Sequence, residues 1–216
     1  GYYSLFANTT GTQNVAVGAA ALDANTTADG NVAVGYNTLT SCTTGSHNTA
    51  VGTSSGLAIT TGTLNVSMGL SSLDATTTGS YNVAIGYNTL GANTTANSNT
   101  AVGYNSLAVN TTGTANVAFG FGSLDANTTA NNNTAMGYLS LSTNTTGSEN
   151  VAVGYQALLT ATTATNNTAV GMNSLALTTT GANNTAIGKS ALVANTTGGN
   201  NVALGAQALA ANTTGE

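Results

Sequence analysis

The sequence predicts an all-β protein, a parallel β-solenoid (β-roll or β-helix) wound in strict coils of 17 residues. Three observations predict this fold class. A five-residue cassette recurs every 17 residues without an insertion. Within the cassette, β-branched and methyl-sized residues alternate with the period of a strand. The coil is also shorter than the roughly 33 residues that helical solenoids need, and Val, Thr, Asn and Gly are poor helix formers.

The cassette reads Asn, Val or Thr, a small residue, an apolar residue and Gly, and its strict spacing favours a stack of equal coils. An enzyme would need loops of unequal length. The cassette asparagines are Asn14, Asn31, Asn48, Asn65, Asn82, Asn99, Asn116, Asn133, Asn150, Asn167, Asn184 and Asn201. We interpret the cassette Asn and Gly residues as structural, because both tolerate corners and left-handed backbone. The glycines include Gly18, Gly35, Gly52, Gly86 and Gly103.

The centre of the cassette is predicted to be a short strand that is buried on both faces, as in a covered parallel sheet, because neither face carries charge. A thin coil has a single interior. The second face is therefore a candidate subunit interface, at which the Ala column would allow close approach of backbones.

An interrupted aromatic column follows the cassette Gly. Two interpretations stay open: the rings contribute to a subunit interface, or they cover the ends of each coil's own core. The column consists of Tyr2, Tyr36, Tyr87, Tyr104, Phe121, Tyr138 and Tyr155.

A Leu follows four residues after the Gly in every coil except the one that has Gly56, with Leu57 next to it. We expect that coil to be locally distorted. A second short strand is predicted after the Leu, with alternate residues such as Leu107, Val109 and Thr111 pointing inward. One Thr of each Thr-Thr pair then faces inward and the other outward. Stacked coils would place like residues in file, so that Asn and Thr ladders form along the axis.

Composition excludes several functions. Charged residues make up 3% of the chain, against about 25% in ordinary soluble domains. With Lys189 as the only cation, binding to nucleic acid or to an anionic membrane is not expected. The sequence has no apolar run of about 20 residues that would predict membrane insertion. A single Cys cannot form an intrachain disulfide.

No catalytic site, metal site or cofactor is predicted. Cys42, His47, Glu149 and Lys189 are scattered over different coils, and no nucleophile has a base at a meaningful spacing. His47 occupies a variable slot before a cassette Asn, so we expect it to face solvent, and Cys42 replaces the Asn of an Asn-Thr-Thr unit. One further position carries acids three coils apart, too far for one calcium ion within a chain: Asp23, Asp74 and Asp125.

Asn-Thr-Thr triplets are formal acceptors for N-glycosylation in a secreted protein. They also arise automatically in a repeat rich in Asn and Thr, where the Asn can form a corner. An outward Thr could carry an O-linked sugar. An ice-binding surface would need two outward Thr files, whereas adjacent Thr residues on a straight strand supply one. The acceptor asparagines are Asn8, Asn25, Asn93, Asn110, Asn127, Asn144, Asn195 and Asn212.

The cassettes Asn48-Thr49-Ala50-Val51-Gly52 and Asn82-Val83-Ala84-Ile85-Gly86 resemble the head repeats of trimeric autotransporter adhesins. The string from Asn99 to Leu107, continued by Asn110-Thr-Thr-Gly113, is also similar to repeats of phage-type tail-fibre proteins and large surface proteins. The likeness covers the whole chain, although the adhesin repeat is shorter. It implies a left-handed parallel β-roll, assembled as a trimer and used for adhesion or as a fibre shaft. It carries over no catalytic residue.

These observations predict one repeat array over residues 1–216, about 12.7 coils if 216 is divided by 17, as a section of a longer protein. The expected function is a non-enzymatic shaft or head of an extracellular, cell-surface or virion fibre. The expected partner is the chain itself, as a trimer or an end-to-end filament. The alternatives are a surface that binds ice, a host glycan or a receptor, and a phage tail-fibre segment.

Overall fold

A computed structural model describes residues 1–215 of the chain and confirms the predicted fold class. The protein divides into two compact units, residues 1–112 and residues 113–216. Each unit is a parallel β-solenoid with one three-residue strand per 17-residue coil. The described residues contain strands, turns and bends but no helix.

Six strands stack in sequence order in each unit. Neighbouring strands pair in parallel, and each residue lies opposite the residue 17 positions away, as Val32 does opposite Thr49. The first unit contains β1 (Val15–Val17), β2 (Val32–Val34), β3 (Thr49–Val51), β4 (Val66–Met68), β5 (Val83–Ile85) and β6 (Thr100–Val102). The second unit contains β7 (Val117–Phe119), β8 (Thr134–Met136), β9 (Val151–Val153), β10 (Thr168–Val170), β11 (Thr185–Ile187) and β12 (Val202–Leu204).

The core is built from rows of identical small and branched residues. In the coil of β5 the interior contains Ala84, Leu90 and the asparagines Asn82 and Asn93, all fully buried. The cassette Ala therefore faces the core. The expectation that the Ala column belongs to a subunit interface is wrong, because the outward face carries the Val or Thr and the larger apolar residue of each strand.

The predicted second strand is absent from the described coils. Between the cassette Gly and the Asn-Thr-Thr unit the backbone turns repeatedly, with positive φ at Asn105 (51°) and Leu107 (51°). Left-handed residues cannot continue a strand. As a consequence the predicted facing is wrong at two positions, because Asn110 is buried and Val109 is exposed. Within the Thr-Thr pair, Thr111 is half-buried and Thr112 is exposed.

The cassette asparagines form the predicted ladder inside each unit. The backbone N–H and Nδ2 of Asn48 both donate to Oδ1 of Asn31, at 2.8 and 3.2 Å. Nδ2 of Asn48 also donates to the carbonyl oxygen of Gly62, at 2.9 Å. The second unit repeats this pattern, for example from Asn150 to Asn133. Each cassette Asn thus forms hydrogen bonds with buried polar groups of a neighbouring coil, and these bonds offset the desolvation cost of burying its amide.

The cassette Gly allows one coil to approach the next. At Gly35 φ is 141°, and a Cβ atom would lie 2.5 Å from the carbonyl oxygen of Gly52. An L-residue fits neither the conformation nor the space. The structural assignment of the cassette Asn and Gly residues agrees with these contacts.

A second ladder runs through the asparagines of the Asn-Thr-Thr units and is interrupted. Nδ2 of Asn144 donates to Oδ1 of Asn127 at 3.2 Å, but Oδ1 of Asn144 is buried without a partner. The next coil has Ala161 in that place, which offers no donor. Oδ1 of Asn25 is also unpaired, because the next coil has Cys42, whose thiol donates to the carbonyl oxygen of Gly45 instead.

The coil that lacks the recurring Leu is not distorted, contrary to expectation. Gly56 has a φ of 61°, close to the values of the leucines in other coils. Strand β3 keeps its register with β4, with Thr49 opposite Val66. The backbone path is therefore set by the contacts between coils and does not depend on the Leu side chain.

Candidate functional site

The outer side of the strands forms a regular surface on each unit. We call it the sheet face, and it consists of three rows. The β-branched row contains Val15, Val32, Thr49, Val66, Val83 and Thr100 in the first unit and Val117, Thr134, Val151, Thr168, Thr185 and Val202 in the second. The apolar row, two residues further along, contains Val17, Val34, Val51, Met68, Ile85 and Val102, then Phe119, Met136, Val153, Val170, Ile187 and Leu204.

The aromatic row, which follows the cassette Gly, completes the sheet face. Large side chains of this row are close to half exposed, such as Tyr104 at 47% and Tyr138 at 45%. In the apolar row Met68 and Phe119 are exposed by 41% and 53%. The aromatic row contains Tyr2, Tyr36, Leu70, Tyr87 and Tyr104, then Phe121, Tyr138, Tyr155, Met172 and Lys189, with smaller residues in the remaining coils.

The aromatic rings stack on one another along the row. The ring centroids of Tyr87 and Tyr104 lie 5.2 Å apart with an interplanar angle of 17°. Tyr138 stacks on Phe121 at 5.3 Å and on Tyr155 at 5.4 Å. The stacked rings are therefore partly exposed on the outer surface of each unit.

Charge is nearly absent from the sheet face. Lys189 is the one charged residue in its three rows. Asp23, Asp74, Asp125, Asp29 and Glu149 all belong to other parts of the coil. Each unit is therefore amphipathic, with a largely apolar side that holds no acid and with the acids elsewhere.

A polar row of threonines runs along another side of each unit, and we call it the threonine row. Its members are the second Thr of each Thr-Thr pair, and all of them are exposed. The first Thr of each pair is engaged within the protein, as Oγ1 of Thr26 donates to the carbonyl oxygen of Thr43 at 3.1 Å. The threonine row contains Thr10, Thr27, Thr44, Thr61, Thr78, Thr95 and Thr112, then Thr129, Thr146, Thr163, Thr180, Thr197 and Thr214.

The candidate N-glycosylation acceptors lie mainly inside the coils. In the buried cases Nδ2, the atom to which a glycan would be attached, faces the interior, and in Asn144 it donates to the carbonyl oxygen of Gly147 at 2.9 Å. Folded protein does not present such an atom to a transferase. Asn8 and Asn212 are partly exposed. The fully buried acceptors are Asn25, Asn93, Asn110, Asn127, Asn144 and Asn195.

A sequence signal could have revealed this burial. In most other coils the same position carries residues that are small or apolar, including Cys42, Ile59 and Ala161. Such replacements favour an interior position over a solvated corner. The signal conflicts with a regular strand after the Leu, which would place the position on the outside.

The candidate reactive side chains do not come together. His47 is exposed, as expected, and Glu149 is exposed on a different unit. Cys42 is buried, and burial raises the pKa of its thiol to about 11. Among residues 1–215 no group of three or more His, Cys, Asp or Glu side chains could hold a metal ion, and no enclosed pocket is found.

The acidic residues differ in their surroundings. Burial raises the pKa values of Asp74 and Asp125 above the usual range, the larger effect being loss of hydration. The pKa of Asp29 is lowered, because the backbone N–H and the hydroxyl of Thr12 both donate to its carboxylate, at 2.6 and 2.8 Å. The contact of Asp29 with Thr12 joins two neighbouring coils, and the acids do not form a common site.

Comparison with known protein families, curated proteins and solved structures found no match to the chain. Within the described residues there is no helix with the length and apolar character needed to cross a membrane.

Proposed function

We propose that the chain is a non-enzymatic structural and adhesive element, the rigid shaft or head of an extracellular, cell-surface or virion fibre. The observation that carries the proposal is the repetition of the same contacts in every coil. Asn31, Asn48 and Asn65, for example, make equivalent bonds to their neighbours. Such a stack can be lengthened or shortened by whole coils without a change in local structure.

The resemblance to adhesin heads and tail fibres supports this assignment. A left-handed coil, trimeric assembly and contact with a host glycan or receptor belong to the same proposal. The sheet face is a further support, because apolar patches larger than a few hundred Å² mark interaction sites on soluble proteins.

The second candidate is a ligand-binding surface for ice or for a glycan. The threonine row favours it, because the hydroxyls of residues such as Thr27, Thr44 and Thr61 repeat at the strand spacing and make no hydrogen bond within the protein. Only one such row is present per described unit, since the neighbouring threonines donate to backbone carbonyls.

Deletion of whole repeats discriminates between the two candidates. Removal of residues 65–98, two repeats of the first unit, joins Leu64 to Asn99 in the same register. A shaft should retain its circular-dichroism spectrum, its cooperative unfolding and its place in the native fibre. A matched control removes residues 65–72, which breaks the 17-residue register and should unfold the neighbouring coils.

The outcomes are read by electron microscopy with antibody labelling of native particles, by thermal hysteresis and by glycan binding. Loss of labelled fibres with the in-register deletion contradicts a role as a shaft. A loss of ice or glycan affinity that follows the number of threonines removed supports the second candidate.

A further inference from the structure

We infer that the sheet face packs against the sheet face of a second copy of this chain. The inference rests on the proposed function, because it identifies the surface by which a structural element of this kind associates. The inference goes beyond the proposed function by naming the rows that are buried and the side chains that control the contact.

The size of the face is the first argument. Six strands at about 4.8 Å and a width of five residues at about 3.3 Å give each unit roughly 480 Å² of largely apolar area. The largest apolar patch of an ordinary monomer has about this size and is often functional. Two chains that pair through one unit each would bury roughly 950 Å², which is the size of a weak or transient interface.

The distribution of charge is the second argument. The chain has a formal net charge of -5, which disfavours association of two copies in general. The three rows of the sheet face hold no Asp or Glu, so two copies can bring these faces together without placing acids opposite each other. A strongly cationic partner would find no acid on this face, which makes such a partner a poor occupant.

The periodicity of the sheet face is the third argument, and it favours a second copy of the chain as the partner. Its rows repeat once per strand, and the stacked rings of Tyr138 and Tyr155, 5.4 Å apart, show this repeat in the side chains. Side chains of one copy can pack between the strands of the other along the whole face only if both have the same spacing. A second copy has that spacing together with the same rows of side chains in every coil, whereas a surface without a stack of strands lacks the spacing.

Sedimentation velocity of the full chain, from about 1 to about 100 μM, tests the inference over the affinities expected for such an area. The variant Tyr87→Glu/Met136→Glu adds one acid to the sheet face of each unit. The control Tyr81→Glu/Thr163→Glu adds the same charge at exposed positions off that face. Circular dichroism and thermal unfolding establish that both variants fold.

We expect the unmodified chain and the control to form dimers or larger assemblies, and the face variant to dissociate with a constant raised about 30-fold or more. A monomeric unmodified chain across the whole range overturns the inference, as does equal dissociation of the control. If the monomeric chain sediments with phosphatidylcholine vesicles and the face variant does not, the face binds a lipid surface, and the inference is overturned in this case too. These results are independent of the repeat-deletion test, which addresses the fibre role in a chain of any association state.

Discussion

Ile59 fills the space that Gly56 leaves empty. A Cβ atom at Gly56 would lie 3.1 Å from Cδ1 of Ile59 and 2.9 Å from Cδ2 of Leu39. Ile59 is fully buried in the core cluster of the first unit. In the other coils a Leu supplies this volume and a smaller or polar residue follows three positions later. The exchange of Leu for Gly and the exchange of Asn for Ile therefore compensate each other within one coil.

The compensation predicts strong coupling between the two positions. Gly56→Leu alone should lower the free energy of unfolding by about 1–3 kcal/mol through overpacking. Ile59→Ala alone should lower it by about 2–5 kcal/mol through a cavity. The double variant reproduces the pairing of Leu158 with Ala161 and should be close to the unmodified chain. Urea denaturation of the four proteins gives the coupling energy.

A reciprocal change in the second unit is the control. Ala161→Ile adds volume beside Leu158, which is already fully buried, and should destabilise without any rescue. Additive effects of Gly56→Leu and Ile59→Ala would contradict the compensation.

The cassette asparagines should contribute more than exposed asparagines do. Nδ2 of Asn82 donates to Oδ1 of Asn65 and to the carbonyl oxygen of Ala96, and its Oδ1 accepts the backbone N–H of Asn99. Asn82→Ala leaves buried backbone groups unpaired and should lower the free energy of unfolding by about 2–4 kcal/mol.

The exposed Asn97 provides the comparison, because its Oδ1 also accepts a backbone N–H, that of Ser80 at 2.7 Å. Asn97→Ala should cost less than about 1 kcal/mol, since water can satisfy the released group. Equal losses in thermal or urea unfolding would show that the ladder has no special role.

The repeat length, the strand and the Asn ladder could be predicted from the sequence because they follow from side-chain alternation and strict spacing. The path after the cassette Gly could not. Leu90 and Leu107 adopt positive φ near 50°, a conformation that Leu rarely takes and that no propensity suggests. Contacts with neighbouring coils stabilise it, so the decisive interactions lie 17 residues away in the chain.

The sequence did not determine which side of the strand faces the core, for a related reason. Both sides are uncharged, and the choice of Ala over the larger residue as the inward side depends on the width of the coil. Leu90 and Ala84 are both fully buried in the same coil, so the small side chain shares the interior with the Leu. The sheet face as a candidate site follows from this choice, and sequence alone could not make it.

The half-buried acids Asp74 and Asp125 should make stability depend on pH in a direction opposite to that of Asp29. Asp125 has a pKa raised by burial, so its favourable contribution is present below the unfolded pKa of about 3.9 and is lost as pH rises through the folded value. Asp29 has a lowered pKa, so its contribution is present above about 3.9 and is lost as pH falls through the folded value.

Charge removal tests these signs. At pH 7 Asp125→Asn should raise the free energy of unfolding and Asp29→Asn should lower it. Both differences should shrink toward pH 3, where the carboxyl groups become protonated in the unfolded chain. Urea unfolding at a series of pH values measures the effect, and a stabilising Asp29→Asn would contradict the role of Thr12 as its donor.

The single thiol should be inert in the folded protein and reactive only after unfolding. Cys42 is buried, its Sγ donates to the carbonyl oxygen of Gly45 at 3.1 Å, and its pKa is raised to about 11. At pH 8 about one thiol in a thousand would then be ionised, against roughly a quarter for a free cysteine, and the thiolate is the reactive form. We expect no measurable reaction of native protein with Ellman's reagent and rapid reaction in denaturant. The variant Cys42→Ala/Thr44→Cys moves the thiol to an exposed position and should react at the rate of a free thiol. Fast labelling of the native chain at Cys42 would mean that this coil opens far more readily than its hydrogen-bonded neighbours allow.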